Sequence, residues 1–396
     1  VNHHLFFADA ALKEEGVSDL LPSARAVIFD EAHQLPDVAA TFFGVSLSAR
    51  QLQELCRDTL QEAGQSAMDL QATNQRVAAL ERAVADLRIA LGNEGRKDAW
   101  HEVREQADVQ VAMSALSECL ADLAALLEPV SRSSRGLDAV WRRAEAQQHA
   151  LERFIRADEP QQVFWFETFK RAFVLHATPL SVAEPFGAHR QRNPASWVFT
   201  SATLSVAGDF SHFLSRLGLT DAQTLRLESP FDFRRQAVLY VPEQLPVPNT
   251  PEYTRQLAEQ MLPVIEAAGG RTFFLFTSHR ALREAAETLR ARLSYPLLVQ
   301  GEAGRRQLLE EFRERGNAVL LGTSSFWEGI DVRGEALSCV IIDKLPFASP
   351  GDPVAAARIE RIRTEGGNPF RDYQLPQAVL TLRQGAGRLI RDIEDY

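Results

Sequence analysis

Two adjacent carboxylates follow a short apolar run near the beginning of the sequence. The run Ala26–Phe29 leads directly into Asp30, Glu31, Ala32 and His33. A carboxylate at the end of a buried parallel strand lies at the sheet edge where ligands bind in such folds. In a nucleoside triphosphatase, Asp30 would hold Mg²⁺ through its water shell and Glu31 would polarise the attacking water. His33 would couple this site to its neighbours; the alternative is a polar surface turn.

Hydroxyl side chains follow another apolar run. Ser201 and Thr203 come after Trp197–Thr200. A hydroxyl at a strand end can hydrogen-bond to His33 or to the backbone, which would link the nucleotide state to domain position. The alternative for such a tripeptide is the N-cap of a helix.

The run Thr272–Phe276 leads into a second pair of hydroxyl residues, Thr277 and Ser278. This pattern predicts an N-cap followed by a helix from Arg280 to Leu293. Both residues are also candidates for contacts to nucleic acid or for coupling.

A polar turn with aromatic and acidic residues follows the run Ala318–Leu321. Its candidate functional residues are one hydroxyl, two aromatics and two acids: Thr323, Phe326, Trp327, Glu328 and Asp331. This composition suits a site where nucleotide and nucleic acid are sensed together. The two aromatic rings could stack on bases, and core packing is the alternative.

Two arginines near the end of the sequence, Arg388 and Arg391, are three residues apart and therefore lie on one helical face. A guanidinium aimed at a γ-phosphate stabilises the charge that develops during transfer, by about 10³–10⁵ in rate for arginine fingers. Gln384 and Gly387 precede or adjoin the pair, and small residues favour close packing against a ligand. For the arginines alone, a solvated surface pair is the alternative.

The elements that position these residues are apolar strands alternating with helical patterns. That alternation predicts an α/β fold with parallel sheets covered on both faces. Between about Ser46 and Asp158 the pattern changes, because Gly and Pro are sparse and apolar residues fall at helical spacing. This segment predicts a helical insertion with two buried stripes: Leu80, Val84, Leu87 and Leu91, and Leu116, Leu120, Leu123 and Leu127.

Composition limits the class of protein. The chain has 396 residues, 45% of them hydrophobic and 24% charged, which is typical of a multidomain globular protein. No run of about 18 apolar residues occurs, so no membrane span is predicted. Three scattered cysteines make neither a metal-ligand spacing nor a disulfide framework, and they favour a cytoplasmic location. The net charge of −10 argues against binding nucleic acid over the whole surface but allows a local basic channel.

Taken in order, the motifs are similar to those of superfamily-two helicases: DEAH, SAT, FFLFTSHRAL, GTSSFWEGIDVRG and QGAGRLIR. The spellings VNHH, SATL, SFWEGIDVRG and QGAGRLIR resemble the DinG/YoaA and XPD family of iron–sulfur, DEAH-box, ATP-dependent DNA helicases. The resemblance implies two RecA-like parallel-sheet motor domains, the first incomplete, with a helical arch-like insertion. The boundaries expected are 1–45 and 159–228 for the first motor domain, 46–158 for the insertion, and 229–396 for a truncated second motor domain.

The resemblance also implies an activity. ATP, with Mg²⁺, would be hydrolysed between the motor domains to drive 5′→3′ translocation on single-stranded DNA in repair or replication. Single-stranded or forked DNA is the expected partner, replication or repair proteins are further candidates, and no membrane is involved.

Roles are implied only at positions that match the family's motifs. Asp30 and Glu31 match the Mg²⁺-binding and water-activating acids, with His33 beside them. The final motif, which reaches the triphosphate, is matched by Gln384, Gly387, Arg388 and Arg391. Glu328 and Asp331 match the coupling motif before it and are expected near the nucleotide. Contacts to nucleic acid or coupling contacts are expected of Ser201, Thr203, Thr277, Ser278, Thr323, Phe326 and Trp327.

Two elements of the family have no counterpart in this sequence. There is no G-x-x-x-x-G-K-[ST] loop to cradle phosphates. There are also no four clustered cysteines for the expected 4Fe–4S centre. Because both would precede Val1 in the family, the chain is interpreted as a fragment, inactive by itself, of an active enzyme. The alternatives are a catalytically silent nucleic-acid-binding module and an RNA-directed ATPase of the same superfamily.

Overall fold

The structure is a computed structural model that describes residues 1–14, 21, 22, 24–66, 68–327, 332 and 336–390. Its strands are β1 (Ala26–Phe29), β2 (Val45–Ser48), β3 (Lys97–Ala99), β4 (Gln162–Thr168), β5 (Phe173–Pro179), β6 (Ser196–Phe199), β7 (Thr272–Leu275), β8 (Leu297–Val299), β9 (Val319–Gly322) and β10 (Cys339–Ile342).

The helices up to the second sheet are α1 (His3–Glu14), α2 (Leu35–Phe42), α3 (Ala49–Gly64), α4 (Leu70–Ala90), α5 (Ala107–Leu127), α6 (Arg135–Arg156), α7 (Ala183–Arg192), α8 (Ser211–Leu217) and α9 (Phe233–Gln236). They are followed by α10 (Tyr253–Ala267), α11 (His279–Arg290), α12 (Arg305–Arg315), α13 (Ser324–Trp327), α14 (Pro353–Thr364) and α15 (Leu375–Ala386).

The chain folds into two compact units. The first unit comprises Val1–Ser201, Phe213–Asp221 and Ser349–Pro369. The second unit comprises Ala202–His212, Ala222–Ala348 and Phe370–Tyr396.

A parallel strand pair in the first unit brings the two N-terminal motifs together. Strands β1 and β6 are in register from Ala26 opposite Ser196 to Phe29 opposite Phe199. The ring of Phe29 stacks on Trp197 and on Phe199, which fixes the pair by cross-strand and diagonal aromatic contacts. Both strands therefore end at the same edge, where the DEAH and SAT segments begin.

The first unit also contains an antiparallel sheet that the sequence did not predict. Its strand order is β2-β5-β4-β3. The segment expected to be a helical insertion thus also contributes β3 and part of β2, and the antiparallel sheet is an addition to the predicted parallel sheets. Helices α3 to α6 and this sheet share one hydrophobic core, which continues past Asp158 to Ala177. The predicted boundary at Asp158 therefore lies inside a packed core, although the domain assignment itself stays a prediction.

Both predicted leucine stripes are buried in that core: Leu80, Val84, Leu87 and Leu91, and Leu116, Leu120, Leu123 and Leu127. Within the described residues, the stretch Ala107–Ser133, which includes α5, is long and apolar enough to cross a membrane by length and composition alone. The leucines of α5 are buried in the core that this helix shares with its neighbours in the first unit, and this burial explains the apolar composition of the stretch.

Helix α14 packs within the first unit, although the expected second motor domain included it. Asp352 caps the helix by accepting from the backbone N–H of Ala355 at 2.9 Å, and it pairs with Lys97 Nζ of β3 at 2.7 Å. Arg358 Nη1 lies 3.4 Å from Asp37 Oδ1 on α2. These ion pairs attach α14 to both the antiparallel sheet and the helix that follows the DEAH segment.

The second unit is built on a parallel sheet with strand order β10-β7-β9-β8. The residues of β7 alternate between two cores, with Phe273 and Leu275 in one and Phe274 in the other. Burial on both faces explains why this strand reads as a continuous apolar run. Ser278 Oγ accepts from the N–H of Ala281, which confirms the predicted N-cap, and α11 ends at Arg290.

Candidate functional site

Asp30 lies where the parallel pair ends. The N–H of Thr200 donates to Phe29 O at 2.8 Å, and the N–H of Ala32 donates to Thr200 O at 2.9 Å. These bonds extend the ladder beyond the strands and hold the two motifs side by side. Asp30 Oδ1 accepts from Thr200 Oγ1 and from the N–H of Glu31, both at 3.0 Å. Its second oxygen makes no hydrogen bond within the described part of the chain and is free to bind a hydrated cation.

Glu31 has a backbone conformation that few non-glycine residues adopt. Its φ is 49° and its ψ is 41°, in the left-handed region. Such a conformation costs of order 1–3 kcal/mol and is found disproportionately at functional sites. The Glu31 side chain remains 60% exposed, so its carboxylate can reach a ligand or a water molecule.

Ser201 and His33 hold the Glu31 carboxylate. Ser201 Oγ donates to Glu31 Oε2 at 3.1 Å, and His33 Nδ1 lies 2.9 Å from Ser201 Oγ and 3.3 Å from Glu31 Oε2. Because the single hydroxyl hydrogen of Ser201 goes to Glu31, His33 Nδ1 must carry the hydrogen that it shares with Ser201. The sequence offered the Ser201–His33 bond as one alternative, and this bond is present in the structure.

Thr203 and Gln384 meet in the second unit. Gln384 Nε2 donates to the buried Thr203 Oγ1 at 3.2 Å, and Arg383 Nη1 donates to Ser205 O at 2.9 Å. The final motif is therefore tied to the residues that follow the SAT serine. No sequence pattern indicated Arg383 for this role.

Phe326 and Trp327 are both buried, with 0% and 3% exposure. Both rings pack in the core, which was the alternative to stacking on bases. Their contact with nucleic acid or their part in coupling stays a prediction. The Trp327 indole lies over Gly385, where a Cβ would come within 2.8 Å of Cε3. Arg388 Nε donates to Trp327 O at 3.1 Å. The turn after β9 is thus joined directly to the end of α15.

The small residues of the final motif pack against the chain itself rather than an open ligand surface. Besides Gly385 under the indole, a Cβ at Gly387 would lie 2.8 Å from Arg383 O of the same helix. Gly387 was predicted to bind the nucleotide, and its lack of a side chain is explained by this helix end. Glu328, Asp331 and Arg391 lie outside the described residues.

Thr323 is held by a residue that sequence reasoning missed. Gln300 Oε1 accepts from the Thr323 N–H at 2.6 Å and from Thr323 Oγ1 at 3.0 Å. His279 Nε2 lies 3.5 Å from the same hydroxyl. Thr323 is buried by these neighbours, so its hydroxyl is committed within the protein.

Asp343 was also missed, and it holds Thr277. Its Oδ1 accepts from the Thr277 N–H at 3.0 Å and its Oδ2 from Thr277 Oγ1 at 3.2 Å. Burial of the carboxyl, which is 4% exposed, raises its pKa to about 6. Lys344 opposes this shift, but its Nζ donates to Asn249 Oδ1 rather than to Asp343. An acid after the apolar run Val340–Ile342 repeats the pattern that identified Asp30, so a signal was present.

Asp343→Asn is expected to stabilise the folded chain at about pH 8. Folding raises the pKa of Asp343 from 3.8 to about 6, so the folded state binds the proton more tightly than the unfolded state. The resulting stabilisation of the folded state is fully present below pH 3.8. That stability is lost as the pH rises through about 6, at a cost of up to about 3 kcal/mol. The asparagine oxygen can still accept from the Thr277 N–H without carrying a buried charge.

Denaturant unfolding of the wild type and the variant at about pH 5 and about pH 8 checks this prediction. The gain should be larger at the higher pH. Asp343→Ala serves as the contrast, since it removes the acceptor and should destabilise at both pH values. An asparagine variant that loses equal stability at both would show that the charge carries no cost.

No group of three or more His, Cys, Asp or Glu side chains able to hold a metal occurs among the residues that the structure describes. Burial raises the pKa of the Cys56 thiol to about 12, which marks it as a core residue.

Solved structures identify the class of fold. An XPD helicase structure matches with a TM-score of 0.60 and 16% identity, over 99% of this chain and 66% of that chain. The S. tokodaii Xpd4 structure matches with a TM-score of 0.56 and 15% identity, over 98% of this chain and 75% of that one. The chain thus has an XPD-like α/β fold with parallel sheets.

Sequence relatives identify the family. Residues 261–396 match the helicase C-terminal domain family. The chain is 48% identical to the ATP-dependent DNA helicase YoaA of Escherichia coli and 46% identical to that of Haemophilus influenzae. Each match covers all of this chain and 62% of the relative. The ATP-dependent helicase DinG of Mycobacterium tuberculosis is 42% identical over 56% of this chain and 34% of that protein. The chain belongs to the YoaA/DinG family, and it spans about three fifths of the length of its YoaA relatives.

Proposed function

We propose that the protein to which this chain contributes is an ATP-dependent DNA helicase. The observation that carries the proposal is the cluster of Asp30, Glu31, His33 and Ser201 at the end of the parallel strand pair. It offers one carboxylate for a hydrated cation and a second, exposed carboxylate for a water molecule. The names of the YoaA and DinG relatives support the same activity.

In this proposal Asp30 would hold Mg²⁺ through water. Glu31 accepts a proton from the water that attacks the γ-phosphate of ATP, and the bond from the γ-phosphorus to the β,γ-bridging oxygen breaks, so that ADP leaves with the electron pair. Ser201 and His33 orient Glu31, because both contact the same carboxylate oxygen. Mg²⁺, when bound, neutralises charge on the phosphates. Arg388 and Arg391 supply the positive charge that hydrolysis requires, with Gln384 beside them. Glu328 and Asp331 belong to the coupling motif.

The proposal extends to how hydrolysis drives movement. Residues 1–45 and 159–228 form the first motor domain, residues 229–396 the second, and residues 46–158 an arch-like insertion. Thr203, bonded to Gln384, and Trp327, packed on Gly385, transmit changes at the nucleotide to the rest of the second unit. Thr277, Ser278 and Thr323 lie on turns that follow strands of its parallel sheet, where ligands bind in such folds.

The DNA is single-stranded or forked, translocation is 5′→3′, and the work is repair or replication in the cytoplasm. Replication or repair proteins are further partners. The complete protein also carries a phosphate loop and a 4Fe–4S cluster. Because the present sequence contains neither a phosphate-loop motif nor four clustered cysteines, we expect this chain alone not to hydrolyse ATP.

DNA-stimulated ATP hydrolysis by the full-length protein, measured beside this 396-residue chain, tests the proposal. Hydrolysis by the full-length protein that rises with single-stranded DNA, and no hydrolysis by the chain alone, is the expected result. Stimulation by RNA but not DNA would replace the helicase with an RNA-directed ATPase. DNA binding without hydrolysis in either protein would identify a catalytically silent binding module instead.

A further inference from the structure

The hairpin of β4 and β5 ends in an exposed aromatic residue. Thr168 and Phe173 are the last paired residues, and the tip that joins them is Phe169–Ala172. The tip is closed by a hydrogen bond from the Phe169 N–H to Ala172 O at 2.8 Å. Phe169 is 48% exposed and is not part of the hydrophobic core that α3 to α6 share with the sheet.

The turn after α4 fixes this tip in place. Arg88 Nε donates to Phe169 O at 2.6 Å, and the Gly95 N–H donates to Thr168 O at 2.8 Å. Thr168 Oγ1 donates to Asn93 O at 2.6 Å. A hairpin end held from a second element loses little further entropy when a ligand binds, so the ring is pre-organised for contact.

The surroundings of Phe169 are cationic. Lys170 and Arg171 are both exposed, and neither has an ion-pair partner among the described residues. The Arg88 guanidinium donates to the carbonyl oxygens of Phe169 and Gly92, not to a carboxylate. The turn after α4 contributes one exposed acid, Glu94, to set against these three cations. On a chain with a net charge of −10, the tip is a local positive site.

We propose that this hairpin tip binds single-stranded nucleic acid, with Phe169 stacking on a base and Lys170 and Arg171 contacting the adjoining phosphates. An aromatic face flanked by cations matches the alternation of base and phosphate along a strand. A second copy of this chain also carries a net charge of −10, so overall repulsion works against self-association as the use of the tip. The inference rests on the proposed helicase function and adds an element of the first unit outside the motor motifs.

Equilibrium binding of fluorescein-labelled oligo(dT) and of an abasic oligomer of the same length to the full-length protein tests the proposal. Phe169→Ala should weaken oligo(dT) binding roughly 5- to 150-fold, with little change for the abasic oligomer, because only the first has bases to stack. Phe169→Trp should keep the affinity. Lys170→Ala combined with Arg171→Ala should weaken both probes and lower the salt dependence by about 1.4 in log–log slope.

Val111→Ala is the matched control, since Val111 is an exposed apolar residue on α5. Unchanged binding by the Phe169→Ala variant, or an equal loss on both probes, would overturn base stacking at the tip. A difference in molar mass between the unaltered protein and the Phe169→Ala variant, measured by light scattering, would assign the tip to self-association instead. If the unaltered protein binds neither probe, the inference fails, whereas the proposed ATPase site is tested separately by hydrolysis.

Discussion

Glu31→Gln in the full-length protein is expected to lower ATP turnover by about 10²–10⁴-fold while ATP binding is retained. The amide has the same size, and its oxygen can still accept from Ser201 Oγ, which now contacts Glu31 at 3.1 Å. It lacks the negative charge needed to accept a proton from the attacking water. Steady-state hydrolysis and the binding of a fluorescent ATP analogue measure the two properties independently.

The control for this variant is Glu54→Gln. Glu54 lies on α3 and forms an exposed pair with Arg50 at 2.8 Å, so its loss should leave turnover unchanged. Normal hydrolysis by Glu31→Gln would remove Glu31 from catalysis. Loss of both binding and hydrolysis would instead indicate that the substitution disturbs the strained turn in which Glu31 lies.

The strand-edge site could be predicted because its signals are local. Each of β1 and β6 is a short apolar run, and the polar residues follow without a break. Parallel pairing then brings Asp30 beside Thr200 and Glu31 beside Ser201. The left-handed conformation of Glu31 carried no such signal, since nothing in its side chain favours positive φ.

The antiparallel sheet could not be predicted because its short strands depend on distant partners. In β3, Lys97 and Asp98 have low strand propensity and show no apolar alternation. They form a strand because Lys97 pairs with Glu167 and Asp98 with Phe166 on β4, about seventy residues later. Pairing over such a separation is a tertiary property.

Burial was the other property that the sequence left open. Phe326 and Trp327 follow a strand in a polar turn, where exposed and buried rings give the same pattern. Room for the Trp327 indole is left by Gly385, far along the chain, and room for the Phe326 ring is left by Gly322 at the end of β9. Asp343 shows the reverse case, because an acid after an apolar run gives no indication that it will be enclosed and have a raised pKa.

Arg388→Ala is expected to lower ATP hydrolysis by the full-length protein by roughly 10³–10⁵-fold, the range measured for arginine fingers. In the structure its Nε donates to Trp327 O at 3.1 Å, which holds the side chain half-buried at the end of α15. The packing of Trp327 on Gly385 does not involve this guanidinium. The substitution should therefore leave intact the hydrophobic core of the second unit that contains Trp327. A loss of activity would then reflect the missing charge rather than unfolding.

Two comparisons separate these causes. Arg306→Ala on α12 removes an exposed arginine whose partner is Glu310 at 2.7 Å, and it should change neither stability nor hydrolysis. Arg388→Lys keeps the charge but loses the planar, bidentate donor, so partial activity is expected. Arg391→Ala should also lower hydrolysis if both arginines act on the triphosphate.

The steady-state constants decide where Arg388 acts. If its guanidinium contacts phosphate oxygens mainly in the transition state, kcat and kcat/KM fall together while KM stays near the wild-type value. A rise in KM with unchanged kcat would mean that Arg388 binds substrate and transition state equally. Unchanged kcat and KM would show that Arg388 serves only to hold the Trp327 carbonyl. In that case Arg391 would be the residue that supplies the catalytic charge.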